Sequence, residues 1–183
     1  MLILITGEPG VGKSTLLLRL VGMLKDDGVD VGGVVAREVR DAKDSRRTGF
    51  EFLDVADGSR ARLASIGIEG PRIGRYGVDL DGCRAAAGML RRAVERCRVV
   101  VFDEIGPMEL LSQDMVHALE HLLDAMDSKG IVVVAVAHKR LRHDLVSRYR
   151  ERASITVEVD RGNRDSLPTR LLYIIKDKWG RLR

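Results

Sequence analysis

Lys13 and Ser14 close the run Gly7-Glu8-Pro9-Gly10-Val11-Gly12-Lys13-Ser14-Thr15. In the spacing G-x-x-x-x-G-K-S the glycines let the backbone fold tightly, so that successive N–H groups converge on an anion. A lysine there reaches β- and γ-phosphates, and the Ser14 hydroxyl is placed to ligate Mg²⁺. A second pair, Asp103-Glu104, follows the apolar run Val99-Val100-Val101-Phe102. Buried strands seldom end in two adjacent acids without a cation nearby. Asp103 is the candidate to hold Mg²⁺ through water beside Ser14, and Glu104 can orient and deprotonate an attacking water. His138 ends a third apolar run, Ile131 to Ala137.

These groups need elements to carry them. Leu2 to Thr6 reads as a buried strand leading into the loop, and Lys13 to Lys25 as a helix whose leucines face a sheet. This strand, loop and helix context makes the glycine pattern a phosphate-binding loop, and the helix dipole adds to the field there. Val29 to Val39 reads as a strand, with Gly32-Gly33 admitting another backbone closely. After a polar loop from Arg40 to Arg47, strands at Thr48 to Val55 and Arg60 to Ile66 form a hairpin around Asp57-Gly58-Ser59. This hairpin is expected inside the main sheet or on its edge. Gly67 to Gly77 is loop with a short strand at Ile73 to Tyr76. Helices are expected at Asp79 to Arg96, Gln113 to Asp127, Arg140 to Arg150 and Ser166 to Lys178, with a last strand at Ile155 to Val159. Strands alternating with helices predict one α/β domain over residues 1–183, a doubly wound, mostly parallel sheet with helices on both faces.

Composition narrows the class. A 45% hydrophobic content over 183 residues supplies a single core. No apolar run approaches the roughly 20 residues that span a bilayer, and the chain enters its chemistry too early for a removable signal. Cys83 and Cys97 form no redox or zinc spacing, which fits a cytoplasmic protein. A single Asn and a single Gln would suit a hot-living source, although base-composition bias explains an arginine-rich chain equally well. The net charge is +4, and the basic residues cluster at Arg37 to Arg62, Lys139 to Arg152 and a tail of Lys176, Lys178, Arg181 and Arg183. That invites a nucleic-acid reading, but 4% aromatic content leaves few stacking platforms and a polyphosphate substrate needs cations too. His117-Ala118-Leu119-Glu120-His121 matches H-x-x-E-H. It lies on the polar side of an amphipathic helix, without a further ligand, and reads as surface.

GEPGVGKST paired with VVVFDEIGPMEL resembles the small thermophilic nucleoside-triphosphatases and their human cancer-related homologue. Arg37-Glu38-Val39-Arg40, Arg47-Thr48-Gly49-Phe50, Ile73-Gly74-Arg75-Tyr76 and Asn163-Arg164-Asp165 extend the likeness in order along the chain. The resemblance implies a RecA-like P-loop fold and Mg²⁺-dependent hydrolysis of nucleoside triphosphates (ATP, GTP, CTP, UTP) to diphosphates, with loose base preference. In the additional-strand class of such folds the strand ending at His138 lies between the loop strand and the acidic strand, and its end senses the γ-phosphate. Lys13, Glu104 and His138 are then the catalytic candidates, and residues 7–15 the phosphate cradle. Asn163 and Arg164 would line the nucleotide pocket, with Arg164 flat on the base, and Arg37, Arg40, Arg47, Arg75 and Arg164 are open candidates for extra cationic help. Lys139 departs from the arginine usual after the histidine, with Arg140 the nearest substitute. Two alternatives stay open: a small-molecule kinase with Lys139 to Arg152 as a lid, which a glutamate at 104 disfavours, and a nucleic-acid-stimulated ATPase. A monomer or weak oligomer is expected, with no membrane partner, and nucleic acid stays open as a partner only through that last alternative.

Overall fold

The computed structural model describes residues 1–180; Arg181 and Arg183 of the basic tail lie outside them. Nine strands among these residues join in one sheet, in the order β5-β6-β4-β3-β2-β7-β8-β1-β9. Strands β2 (Val31–Arg40), β7 (Val99–Ile105), β8 (Val132–Ala137), β1 (Leu2–Gly7) and β9 (Ile155–Val159) are parallel. Strands β1, β7 and β8 are apolar runs with little alternation, because helices cover both of their faces, whereas β9 on the edge alternates half-buried with exposed residues. Strand β8 pairs with both β1 and β7, so the loop strand and the acidic strand are separated as the RecA-like arrangement requires.

The helices divide between the faces. Helix α1 (Lys13–Asp26) and α5 (Leu167–Gly180) bury Leu16, Leu20, Leu24, Leu171 and Ile175 against Ile3, Ile5, Val101 and Val134. The opposite face takes α2 (Leu80–Arg96), α3 (Gln113–Ser128) and α4 (Asp144–Arg152) against Leu4, Val100, Phe102 and Val133. Odd residues of β1 and of β7 up to Val101 thus meet α1 and even ones meet α2 and α3, the period of two expected of a strand; past the register shift after Phe102, Ile105 falls on the α2 and α3 face. Burying one leucine in such a layer contributes ~2 kcal/mol.

The antiparallel part exceeds the expected hairpin. Strands β3 (Arg47–Asp54) and β4 (Arg60–Ser65) do pair around residues 55–59, on the edge beyond β2. A second small hairpin, β5 (Arg72–Ile73) and β6 (Tyr76–Val78), continues the sheet from β4. Gly33 makes the junction of the two halves possible: a Cβ there would lie 2.0 Å from the Val101 carbonyl oxygen of β7, at a φ of +117°.

Two boundaries differ from expectation. Strand β7 runs on through Asp103 and Glu104 to Ile105, so the acids sit inside the strand, where its register against β8 shifts between Phe102 and Ile105 while Asp103 still pairs with Val35 of β2. Helix α4 begins at Asp144, with the His143 side chain as its cap. Residues 138–141 form a turn, the Leu141 N–H donating to the His138 carbonyl at 3.4 Å, and residues 141–143 stay out of the helix as Arg150 reaches back to the carbonyls of His138, Lys139 and Leu141 at 3.1 to 3.2 Å. This basic stretch is no lid. Leu145, Val146 and Tyr149 are buried, and the Tyr149 hydroxyl donates to the Leu119 carbonyl at 2.7 Å. None of the helices among the described residues is long and apolar enough to cross a membrane.

Candidate active site

The loop between β1 and α1 is held from below. Gly7 admits β9 closely, since a Cβ there would stand 2.7 Å from the Val159 carbonyl oxygen. Helix α1 opens at Lys13 with neither a side-chain cap nor an acidic residue in its first turn. Its leading N–H groups therefore have no competing internal anion, and they and the dipole favour an external one. Lys13 is 7% exposed, and its Nζ donates to the carbonyls of Gly7 at 3.0 Å and Glu8 at 3.1 Å, across the loop's own mouth.

A cleft of about 660 Å³ opens above the carboxyl ends of β1, β8 and β7. Pro9, Gly10, Gly12, Lys13, Ser14 and Thr15 form one wall, and Asp103, Glu104 and His138 the floor. This is the crevice where open α/β sheets take ligands. His138 is fixed there because its N–H donates to the Ile105 carbonyl at 3.2 Å while its Nδ1 accepts from the Arg140 N–H at 3.3 Å. The remaining wall comes from the antiparallel wing, with Arg37, Glu38, Arg47, Phe50, Leu63 and Ile73.

Asp103 is the residue most out of balance. It is 1% exposed, and neither carboxylate oxygen has a hydrogen-bond partner among the described residues. Burial pushes its pKa up to about 7; the nearby Ser14 hydroxyl and the Lys13 charge oppose that rise and Glu104 adds to it. Ser14 lies close enough to lower the value without meeting hydrogen-bond geometry. A buried, unsatisfied carboxylate beside a serine hydroxyl is an oxygen donor set that fits Mg²⁺. Among the described residues no three metal-ligating side chains cluster. Mg²⁺ in phosphate sites takes only one or two protein oxygens, the rest being water and phosphate.

Glu109 was missed in the sequence. It sits on the single 3₁₀ turn Glu109–Leu111, 5% exposed, and lines the same cleft. Burial pushes its pKa up to about 8, with its own and the Gly106 N–H pulling the other way and the Glu104 and Asp103 charges adding to the rise. Its Oε2 lies 2.9 Å from where a Cβ on Gly106 would be, so a larger residue there would shift the tip of this side chain. Its signal in the sequence was its place in VVVFDEIGPMEL, the stretch that carries the family likeness; residue type alone gives neither its burial nor a role.

Other expected site residues fall outside this cleft. Glu8 faces away, bonded to Lys139 at 3.0 Å and Arg140 at 3.2 Å, and these bonds hold its carboxyl below the usual carboxylate range. Lys139 also reaches Glu158 on β9 at 2.7 Å. Both candidate replacements for the family arginine thus brace the loop from outside. Gly7 and Val11 complete the loop's frame, with Val11 packed toward the α1 core. The Asn163 side chain is spent on its own turn, accepting from the Asp160 N–H at 3.0 Å and donating to the Glu158 carbonyl at 2.9 Å. Arg164 lies over the outer side of the loop, its Nη1 3.4 Å from the Val11 carbonyl and its Cδ 3.6 Å from a would-be Cβ of Gly12. His117 and His121 are exposed on α3, and Glu120 between them pairs with Arg148 at 3.0 Å.

Comparison with known proteins agrees with this geometry. Residues 2–172 match a protein family described as NTPase. The chain is similar to the nucleoside-triphosphatase THEP1 of Methanopyrus kandleri, at 41% identity over 93% of this chain and 92% of the relative. The THEP1 of Methanosarcina acetivorans is likewise 41% identical, over 92% and 93%. Among solved structures, THEP1 from Aquifex aeolicus superposes with a TM-score of 0.78 at 30% identity, covering 96% of this chain and 99% of that one. A human cancer-related nucleoside triphosphatase gives 0.79 at 32% identity, covering 96% and 97%.

Proposed function

The chain belongs to the NTPase family, and from that premise we propose that it is a Mg²⁺-dependent nucleoside-triphosphatase cleaving the terminal anhydride of ATP, GTP, CTP and UTP. The products are the diphosphate and inorganic phosphate. One observation carries the proposal: the buried, unpartnered Asp103 carboxylate stands beside Ser14 at the mouth of the loop. A folded protein tolerates such a group where a bound species completes it.

Ser14 and Asp103 are the residues that would hold Mg²⁺, which when bound neutralises phosphate charge. The main-chain N–H groups of residues 9–15 cradle the phosphates, and Lys13 moves from the Gly7 and Glu8 carbonyls to the β- and γ-oxygens. Glu104 orients a water in line with the γ-phosphorus and takes its proton as the new O–P bond forms. The bond from the γ-phosphorus to the bridging oxygen breaks, and the diphosphate leaves. His138 at the floor senses the γ-phosphate. Arg164, outside the loop, offers a flat cation to the base, and stacking of that kind is indifferent to base identity. Asn163 contributes by holding the turn that presents Arg164. The reading takes the protein as a cytoplasmic monomer or weak oligomer.

The test is phosphate release from each of the four triphosphates, with Mg²⁺ and with EDTA, for the wild type and Glu104→Gln. Wild type should turn over all four within about tenfold of one another and stop in EDTA. The variant should bind MgATP normally and turn over about 10²-fold more slowly. Turnover in EDTA, or a Glu104→Gln variant near wild type, would show the assignment to be mistaken.

A further inference from the structure

Five arginines were open as cationic helpers, and the structure separates them. Arg40 and Arg47 both pair with the Glu38 carboxylate, Arg47 at 2.7 Å, and Arg40 also donates to the Ser45 carbonyl at 2.9 Å. Arg47 Nε donates to the Tyr76 hydroxyl at 3.1 Å, and its guanidinium lies 5.1 Å from the Phe50 ring and 5.9 Å from the Tyr76 ring. Arg75 donates to the Tyr76 hydroxyl and to the Arg47 carbonyl, both at 3.0 Å. Arg164 rests on the far side of the loop. Arg47 and Arg75 are structural: they clamp the β2–β3 hairpin to the β5–β6 hairpin around Tyr76.

Arg37 is different. It lines the cleft, yet no hydrogen bond, ion pair or ring contact engages it among the described residues. Its direct partner across the ladder, Glu51, is bonded instead to Arg60 at 3.0 Å. The register fixes where it stands. Val35 on β2 pairs with Asp103 on β7, and Val35 belongs to the α1 face. Strand alternation puts Arg37 on that same face, one strand over from Asp103 and two residues further toward the open end. The same cleft is lined by Lys13, Ser14, Asp103 and Glu104, the residues that the reading above sets around the terminal phosphate.

We infer that Arg37 is the transition-state cation of the hydrolysis, supplied in cis by β2, its guanidinium touching the γ-phosphoryl oxygens as they pass from the bridging oxygen to water. This rests on the nucleoside-triphosphatase reading above. Charge gathers on the equatorial oxygens in that passage, and a planar guanidinium meets two of them at once, which an ammonium does not. An exposed arginine is ordinarily mere solvated surface. Here the arginines beside it on the wing are engaged by Glu38 and Tyr76, while this one side chain is left unengaged in the lining of the cleft.

The experiment uses the full-length chain as wild type, Arg37→Ala and Arg37→Lys. It measures kcat and KM for MgATP, and MgADP affinity with and without aluminium fluoride, a mimic of the phosphoryl group in flight. Expected for Arg37→Ala is a kcat lower by on the order of 10³-fold, as for arginines supplied to other phosphoryl transfers, with KM and MgADP affinity within about threefold of wild type. Aluminium fluoride should tighten MgADP binding to wild type and not to Arg37→Ala. Arg37→Lys should recover less than about a tenth of kcat, because a point charge lacks the fork. An Arg37→Ala enzyme with kcat within threefold of wild type and an undiminished fluoride effect would overturn this inference alone. A loss confined to KM and MgADP affinity would also overturn it, as uniform binding. Wild type that frees no phosphate from any triphosphate would bring down the parent reading and this one with it.

Discussion

Asp103 is 1% exposed with two oxygens that bond to nothing in the described chain, and such a charge is costly unless something completes it. Lys13 does not: its Nζ is given to the Gly7 and Glu8 carbonyls. The group therefore works against the stability of the ligand-free fold and in favour of binding. Asp103→Asn keeps the shape and removes the charge. In alkaline buffer, where the carboxyl is ionised, the ligand-free variant should melt about 2–4 °C higher than wild type, equivalent to about 1 kcal/mol. Its Mg²⁺-supported phosphate release should fall at least ~10²-fold. Calorimetry without nucleotide, beside the phosphate assay, checks both halves. A lower melting point would mean that the buried carboxylate contributes to the fold and not only to the ligand.

At the scale of the element, the antiparallel wing must hold its height over the cleft, and α2 sets that height from beneath. Asp79 caps α2 by accepting the Gly82 N–H at 2.9 Å, and a Cβ on Gly82 would lie 1.8 Å from the Arg62 carbonyl oxygen of β4. Gly82→Ala must push helix from strand, since backbone cannot yield as a side-chain tip does. It should cost about 3 kcal/mol in denaturant unfolding and lower kcat through the displaced wing, with the isolated loop chemistry intact. This dependence was invisible in the sequence, where Gly82 read as one more residue in an alanine-rich helix. The loop and the Asp103-Glu104 pair were legible because motif and apolar run coincide there, and the placing of β8 between β1 and β7 followed only from the family resemblance. The start of α4 was not: a basic run with leucines looks helical until Arg150 claims the carbonyls of residues 138, 139 and 141. Nor were β5 and β6, whose pairing is too short to leave a period. Glu109 escaped for a third reason, since nothing in residue type shows that an acid on a single turn folds back into the core.

For the whole molecule the question is what a net charge of +4 is for. Nucleic-acid affinity comes from cations free to displace counterions from phosphates. Most of the expected basic patches are engaged internally. On and before α4, Arg148 pairs with Glu120, Arg152 with Asp124 and Asp127, and Lys139 and Arg140 with Glu8. In the wing, Arg40 and Arg47 share Glu38, Arg46 pairs with Asp44, Arg60 with Glu51 and Arg62 with Asp79. Exposed pairs of this kind are individually weak, ~0.2–1 kcal/mol, but together they leave alternating charge where a continuous basic track would be needed. Phe50 and Tyr76, two of the few aromatic rings, are stacked edge to face with centroids 5.2 Å apart and covered by guanidinium groups, so they offer no platform to bases. Phosphate release from MgATP should therefore change by less than about twofold when poly(U) RNA or single-stranded DNA is added at 150 mM salt. The same assay at about 50 mM salt separates weak, screened attraction from a functional site, since only the former vanishes between the two. A tenfold stimulation that persists at 150 mM would mean that these ion pairs open for a polyanion, and that the wing and α4 together form a track for it.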